Sequence, residues 1–229
     1  MKKLLILGGN SDIGIQLLQN VIDHGDFITH VHYNKKFSEN WKHRSIKLIK
    51  KDLNLVNKKN LNKIFDNNYD IIVNLVGYVS KQSFSNFDVK EVQKTILINS
   101  LVPFMIIRNS LKNMSKKKYG RIINTSSIGA KFGGGSNTFS YSISKHLNEF
   151  MPSEIKRMSS NNVLYNTVRI GVTNTKFHKK IKNKSILKRV KLIPIKKMAS
   201  AKDIAKYIFY LITESNFITN EVLNITGGE

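Results

Sequence analysis

An open, doubly wound α/β sheet of about seven parallel strands, with helices on both faces, is the fold class this sequence predicts. Three observations carry it. Short apolar runs alternate with longer helix-like stretches along nearly all 229 residues, the pattern of strand–helix–strand crossovers. Several of those runs are continuously apolar, as strands buried on both faces require. The first of them, Leu4-Leu5-Ile6-Leu7, passes directly into Gly8-Gly9-Asn10-Ser11-Asp12-Ile13-Gly14, a glycine turn that opens a helix.

Taken in order, Lys3 to Leu7 is a strand cut off by the glycine turn, and Ser11 to His24 is the helix that follows it. Phe27 to Tyr33 is the second strand. Ile46 to Ile49 is a weaker candidate that leads into Asp52, and Asn57 to Asn67 has a helical pattern. Asp70 to Leu75 is a buried strand, followed by a long helical segment from about Val89 to Met114. Arg121 to Thr125 and Val163 to Ile170 are further strands on either side of a helix from Ser140 to Ser159. Ala201 to Glu214 is the last helix and Glu221 to Ile225 the last strand. In such a sheet ligands bind beyond the carboxyl ends of the strands, so function belongs in the loops that follow them.

A length of 229 residues and 41% hydrophobic composition fit a single domain, residues 1–229, with a full core. No apolar stretch approaches the roughly eighteen residues of a membrane span. The N-terminal apolar run is too short for a signal-peptide core and lacks a small-residue cleavage site, so a soluble, cytoplasmic protein is expected. The absence of cysteine excludes thiolate catalysis, disulfides and cysteine-ligated metals. His30 and His32 share one strand face, but no acidic or histidine cluster completes a site there. They read as structural, and no metal is expected. The formal charge of +23 would ordinarily point to nucleic acid. Lysine is spread through nearly every segment beside abundant Asn and Ile, however, which reads as compositional drift. No specific nucleic acid or membrane partner is expected, although anionic small molecules should be attracted, with on-rates that fall with salt.

The chemistry-bearing residues lie at the strand ends. Backbone N–H groups of the glycine turn and the N-terminus of the following helix suit a pyrophosphate, with Gly8 permitting the turn and Gly14 close packing of the helix. Tyr141 and Lys145, one helical turn apart, share a face, so the ammonium can sit beside the phenol. An unperturbed tyrosine titrates near 10; a neighbouring positive charge would lower it and make the phenol a usable acid or base.

Gly8-x-x-x-Asp12-Ile13-Gly14, Asn99, Ser127 and Tyr141-x-x-x-Lys145 occur in the order and approximate spacing of the short-chain dehydrogenase/reductase family. The chain resembles that family from its first strand to Asn224-Ile225-Thr226-Gly227-Gly228, and in particular its 3-oxoacyl-acyl-carrier-protein reductase-like members. The resemblance implies a Rossmann-type fold, an NAD(P) cofactor and a tetrad of Asn99, Ser127, Tyr141 and Lys145. Tyr141 would be the general acid or base and Ser127 a donor to the carbonyl oxygen. Ser126 is the other candidate hydroxyl. Lys145 would also hold the nicotinamide ribose, and Asn99 a water linking the lysine to solvent. Gly8, Asn10, Ser11, Asp12, Ile13 and Gly14 would take the pyrophosphate side of the cofactor, Asp52 and Leu53 the adenine, and Asn74 and Gly77 the ribose. Leu75 and Val76 replace smaller family residues. After the sixth strand Gly171, Thr173 and Thr175 are present, but the family's proline is absent, which loosens a backbone constraint.

The second strand ends His32-Tyr33-Asn34-Lys35-Lys36 with no acid before Glu39. An NAD site places an acid there for the ribose 2′-hydroxyl, so Asn34 and Lys35 point to NADPH, with NADH possible. Residues 176–197 hold ten Lys or Arg and no acid, against 38 Lys and Arg in 229 overall. This segment reads as a lid over an anionic substrate, with Lys179, Lys180 and Lys182 as the cations to test. A solvated amphipathic helix is the competing interpretation. The function expected is NADPH-dependent reduction of a carbonyl to an alcohol by a homodimer or homotetramer. A sugar or surface-polysaccharide dehydrogenase working oxidatively is an alternative. A basic nucleotide- or nucleic-acid-binding protein without turnover is another, and one that has no use for the tyrosine–lysine pair.

Overall fold

Leu4 and Ile6 bury on one face of the first strand and Leu5 and Leu7 on the other, because successive side chains of a strand point to opposite sides. In this computed structural model, which describes residues 1–37, 41, 43–65, 68–177 and 186–229, that strand lies inside a seven-stranded parallel sheet. The strands are β1 (Lys2–Leu7), β2 (Phe27–Tyr33), β3 (Ile46–Lys50), β4 (Ile71–Asn74), β5 (Gly120–Ser127), β6 (Val163–Ile170) and β9 (Val222–Ile225), in the order β3-β2-β1-β4-β5-β6-β9. A separate small parallel pair joins β7 (Thr173–Asn174) to β8 (Ala199–Ser200).

Helices cover both faces. They are α1 (Asp12–His24), α2 (Leu61–Ile64), α3 (Val89–Ile96), α4 (Val102–Lys116), α5 (Ile128–Lys131), α6 (Phe139–Leu147), α7 (Ser153–Arg157), α8 (Ile186–Leu192) and α9 (Ala201–Thr213). Leu17, Leu18 and Val21 of α1 and Ile204, Ile208 and Leu211 of α9 pack with Leu4 and Ile6. Ile106, Ile107 and Leu111 of α4 pack with Leu5, Leu7 and Ile72 on the opposite side. Ile72 is fully buried at the centre of the sheet. Ile72→Ala is expected to cost about 2–5 kcal/mol in urea unfolding; a cost below about 1 kcal/mol would show that this face collapses around the gap.

The chain leaves β1 toward β2 on one side and returns to β4 on the other, so the strand order reverses beside β1. A crevice opens at the carboxyl ends of the strands at such a reversal. Among the described residues no helix is long and apolar enough to cross a membrane.

Three expected helices differ in detail. Within 57–67, helix is confined to α2, and the Asn57 side chain accepts from the Lys59 and Asn60 N–H groups to make a turn instead; residues 66–67 lie outside the described residues. The helix expected over 140–159 breaks after Leu147 and resumes beyond Pro152, since proline disfavours helix in the residue before it. The long segment 89–116 contains a wide π-turn, Leu97–Leu101, between α3 and α4. Pro103 explains the local freedom: it has no N–H, so the carbonyl four residues earlier, on Asn99, has no α-helical donor. Val102 N–H reaches back to Leu97 O, and the helix widens.

Candidate active site

A cleft of about 730 Å³ runs across the strand ends, and residues far apart in the chain line it. Gly8, Asn10, Ser11, Asp12 and Ile13 come from the turn after β1, Asn34 and Lys35 from the end of β2, and Asp52 and Leu53 from beyond β3. Gly77 follows β4, Ser127 ends β5, Tyr141 and Lys145 stand on α6, and Thr173 and Thr175 follow β6. Gly14, Asn74 and Asn99 sit behind this lining.

The glycine turn is held by contacts that leave no room for larger residues. Gly8 has φ of +73°, and a Cβ on it would lie 3.0 Å from backbone atoms of Leu75 and Val76. A Cβ on Gly14 would meet Gly9 O at 2.5 Å, so the turn folds tightly onto the first turn of α1. Ser11 caps that helix by accepting from Gly14 N–H at 3.0 Å. The Asp12 carboxylate accepts from Lys176 N–H at 2.6 Å and pairs with Lys176 Nζ at 3.7 Å, tying the stretch after β7 to the glycine turn. Asn10 donates to Lys36 O at 2.7 Å, and Asp52 caps its own turn by accepting from Asn54 N–H. Asn34, Lys35 and Lys36 are exposed.

At the other end of the cleft, Ser127 caps α5 by accepting from Gly129 N–H and hydrogen-bonds Tyr141. Ser126, its rival, donates to Glu149 at 2.7 Å, and Glu149 is paired with Arg169. Ser127 is therefore the hydroxyl that meets the phenol. Lys145 is 3% exposed and donates to Val76 O at 2.8 Å, Thr125 O at 3.0 Å and Thr125 Oγ1 at 3.3 Å. Its Nζ lies 5.8 Å from the Tyr141 ring centroid. Val76 thus contributes through its carbonyl, which its bulkier side chain leaves untouched.

The titration behaviour departs from the expectation that Lys145 lowers Tyr141. Burial pushes the phenol up to about 12, with the Ser127 hydrogen bond pulling the other way. Burial also pushes Lys145 down to about 7. The lysine faces carbonyls rather than the phenol oxygen, and desolvation of each group outweighs any help from the other.

Asn99 is fully buried in the π-turn. Its side chain accepts from Tyr78 N–H, donates to Tyr78 O and donates to Ser144 Oγ at 2.9 Å. Its carbonyl receives the Asn148 side chain at 3.2 Å and that of Asn74 at 3.4 Å. Asn148 also donates to Thr125 O, the carbonyl that Lys145 uses. Sequence reasoning missed Asn148, although it stands three residues after Lys145 on one helix face. It missed Pro103 and Thr125 as well.

After β6, Gly171 N–H pairs with Ile225 O, and the β7–β8 pairing fixes the backbone that a proline would have constrained. Thr173 and Thr175 turn their hydroxyls to backbone carbonyls of the same loop. Phe177 lies 5.3 Å from the Tyr141 ring, centroid to centroid, and against Gly77. Of the lysine-rich segment 176–197, residues 178–185, including Lys179, Lys180 and Lys182, lie outside the described residues.

A profile of the family described as Enoyl-(Acyl carrier protein) reductase matches residues 57–229. The chain belongs to the short-chain dehydrogenase/reductase family. It is 29% identical over 185 residues to the 3-oxoacyl-acyl-carrier-protein reductase FabG of Aquifex aeolicus, covering 77% of this chain and 74% of that one. Against the 3alpha-hydroxysteroid dehydrogenase of Mediterraneibacter gnavus it is 28% identical over 160 residues, covering 69% and 64%. The fold matches ElxO with NADP bound, at a TM-score of 0.83 and 23% identity over 99% of this chain and 98% of that one. It also matches a 4-hydroxyisoleucine dehydrogenase mutant complexed with NADH and succinate, with a TM-score of 0.85 and 23% identity over 99% and 98%. Like its family, the chain is an oxidoreductase that acts on carbonyl and CH–OH groups.

Proposed function

We propose that this protein is an NADPH-dependent carbonyl reductase in which Tyr141 is the general acid. The observation that carries the reading is the meeting of Ser127 and Tyr141, with Lys145 behind them, at one end of a cleft whose other end is the glycine turn. A phenol held near 12 is protonated at neutral pH, the form a reduction needs in order to deliver a proton to the developing alkoxide. Ser127 donates to the same oxygen and stabilises its charge. Lys145, held by the Val76 and Thr125 oxygens, keeps a positive charge or an exchangeable proton beside the phenol. Phe177 packs its ring beside that of Tyr141.

The cradle fits a dinucleotide, because Gly8 and Gly14 leave backbone where any side chain would clash. Gly8, Asn10, Ser11, Ile13 and Gly14 would hold the pyrophosphate, Asn34 and Lys35 a ribose 2′-phosphate, and Asp52 and Leu53 the adenine. Asn74, Gly77, Thr173, Thr175 and Lys145 would hold the nicotinamide half. When bound, the cofactor supplies the hydride. Asp12 serves that site indirectly, through its pairing with Lys176. The enzyme would act in the cytoplasm as a single-domain homodimer or homotetramer on an anionic carbonyl compound. The FabG relatives make 3-oxoacyl thioesters the first substrates to assay.

Nucleotide titration tests the cofactor assignment. NADPH is expected to bind about ten- to a hundredfold more tightly than NADH, the range of one charge-assisted hydrogen bond. Lys35→Ala is expected to remove most of that preference. Equal affinities, or tighter NADH binding, would overturn NADPH as the cofactor.

A further inference from the structure

We propose that His32 is a positioning residue whose neutral ring clamps the glycine turn to the adenine-side loop, making dinucleotide affinity depend on the protonation of one histidine. The inference rests on the reading of the cleft as a dinucleotide site. It reverses the expectation that His32 is merely structural.

His32 lies near the end of β2, is 3% exposed and lines the cleft. Its Nδ1 is 3.2 Å from the backbone nitrogen of Gly8, and its Nε2 is 2.8 Å from the carbonyl oxygen of Lys51. Both partners have fixed roles: a backbone N–H can only donate and a carbonyl can only accept. Nδ1 must therefore be the bare nitrogen and Nε2 must carry the hydrogen. One tautomer of the neutral ring satisfies both contacts, and the imidazolium satisfies only one, because its second N–H would face the N–H of Gly8.

The backbone doubles the clamp. Gly9 N–H donates to His32 O at 2.9 Å, and Lys51 N–H donates to Tyr33 O at 2.9 Å. On its far side the turn has no slack, since the backbone of Leu75 and Val76 stands 3.0 Å from where a Cβ on Gly8 would be. Losing the ring acceptor leaves Gly8 N–H facing a donor in a turn that has little room to move.

The charged and titratable groups on the elements around the ring are few. Asp52, in the loop after β3, favours the imidazolium, as does the Lys51 carbonyl; burial opposes both and holds the ring below the usual histidine range. His30, two residues earlier on the same face, pairs with Tyr69 at 2.8 Å. Phe65 packs its ring edge-on at 5.9 Å. Across the turn, the Asp12 carboxylate is committed to Lys176. The clamp is thus intact wherever the ring is neutral and is lost as the pH falls through its depressed pKa.

Two measurements test this. In the nucleotide-free protein, ring nitrogen shifts read by NMR are expected to report the Nε2–H tautomer, and the Gly8 amide proton should move with the His32 titration. Nucleotide affinity is then measured from about pH 8 to about pH 4, extended below the pH 5–8 range in which an ordinary histidine exchanges its proton because burial depresses this one, for wild type, His32→Gln and His32→Phe. Wild-type affinity is expected to fall about tenfold on acidification, the worth of roughly one hydrogen bond. His32→Gln can accept from Gly8 and donate to Lys51 without titrating. It should keep the affinity and lose the pH dependence, except for the slope of the nucleotide's own phosphate. His32→Phe keeps a ring but neither bond and should bind weakly throughout. An Nδ1–H tautomer, a Gly8 amide indifferent to His32, or an unchanged pH slope in His32→Gln would each overturn the clamp. Failure of wild type to bind either nucleotide at any pH would instead overturn the cofactor reading and the affinity half of the proposal, while the NMR readouts still decide the clamp.

Discussion

Tyr141→Phe is expected to lower kcat for carbonyl reduction by between about a hundredfold and ten-thousandfold, the range that general acid catalysis supplies. The substitution removes one oxygen. That oxygen is hydrogen-bonded to Ser127, while the ring contact with Phe177 survives in phenylalanine. Lys145 is held by Val76 and Thr125 and not by the phenol oxygen, so the variant should fold and should bind nucleotide with wild-type affinity. The split between binding and turnover makes the experiment decisive. A variant that binds nucleotide normally and turns over within tenfold of wild type would remove Tyr141 from the chemistry. A variant that loses binding as well would mean the phenol also supports the cofactor seat.

Gly14→Ala is expected to destabilise the protein by about 1–3 kcal/mol and to abolish measurable nucleotide binding. Helix propensity alone favours alanine by about 1 kcal/mol, so the sign is decided by space. The added Cβ would lie 2.5 Å from Gly9 O and 2.7 Å from Gly9 Cα and C, all of them backbone. Neither the glycine turn nor α1 can yield without the other, because Ser11 caps the helix through Gly14 itself. Overpacking of this kind costs about 1–3 kcal/mol and occasionally more. For a chain of this size, about 1–3 kcal/mol corresponds to a Tm lower by roughly 2–12 °C. A Tm and an affinity both equal to wild type would show that α1 can move away from the turn freely.

The sheet was legible because its signal is local. Apolar runs ended by turns placed the strands to within about two residues, and Phe27–Tyr33 and Val163–Ile170 match without adjustment. The residues lining the cleft were legible from motif spacing, which the parallel fold then brings together. Less legible was whatever depends on a partner distant in sequence. Pro103 stands four residues after Asn99 and frees its carbonyl, yet nothing local says that Asn148 and Asn74 satisfy it. Burial sets the direction of the Tyr141 shift, and Tyr141-x-x-x-Lys145 establishes a shared face but not the rotamer of the lysine. Val76 and Thr125 offer carbonyl acceptors, and Lys145 takes them. His32 read as inert because its two partners, Gly8 and Lys51, contribute only backbone atoms, which carry no sequence signature.

The contact between Asp12 and Lys176 joins residues 164 positions apart, and that separation has a consequence for biosynthesis. Domains form from the N-terminus as the chain leaves the ribosome, at about 5–20 residues per second. Lys176 is made roughly 8–33 s after Asp12. Until then Asp12 lacks its partner, although both strands that flank β1 are already made. Contacts this distant in sequence also close slowly. A nascent chain that has reached β5 carries the glycine turn but only a half-walled cleft, so the cleft is completed late, on a sheet that is largely assembled.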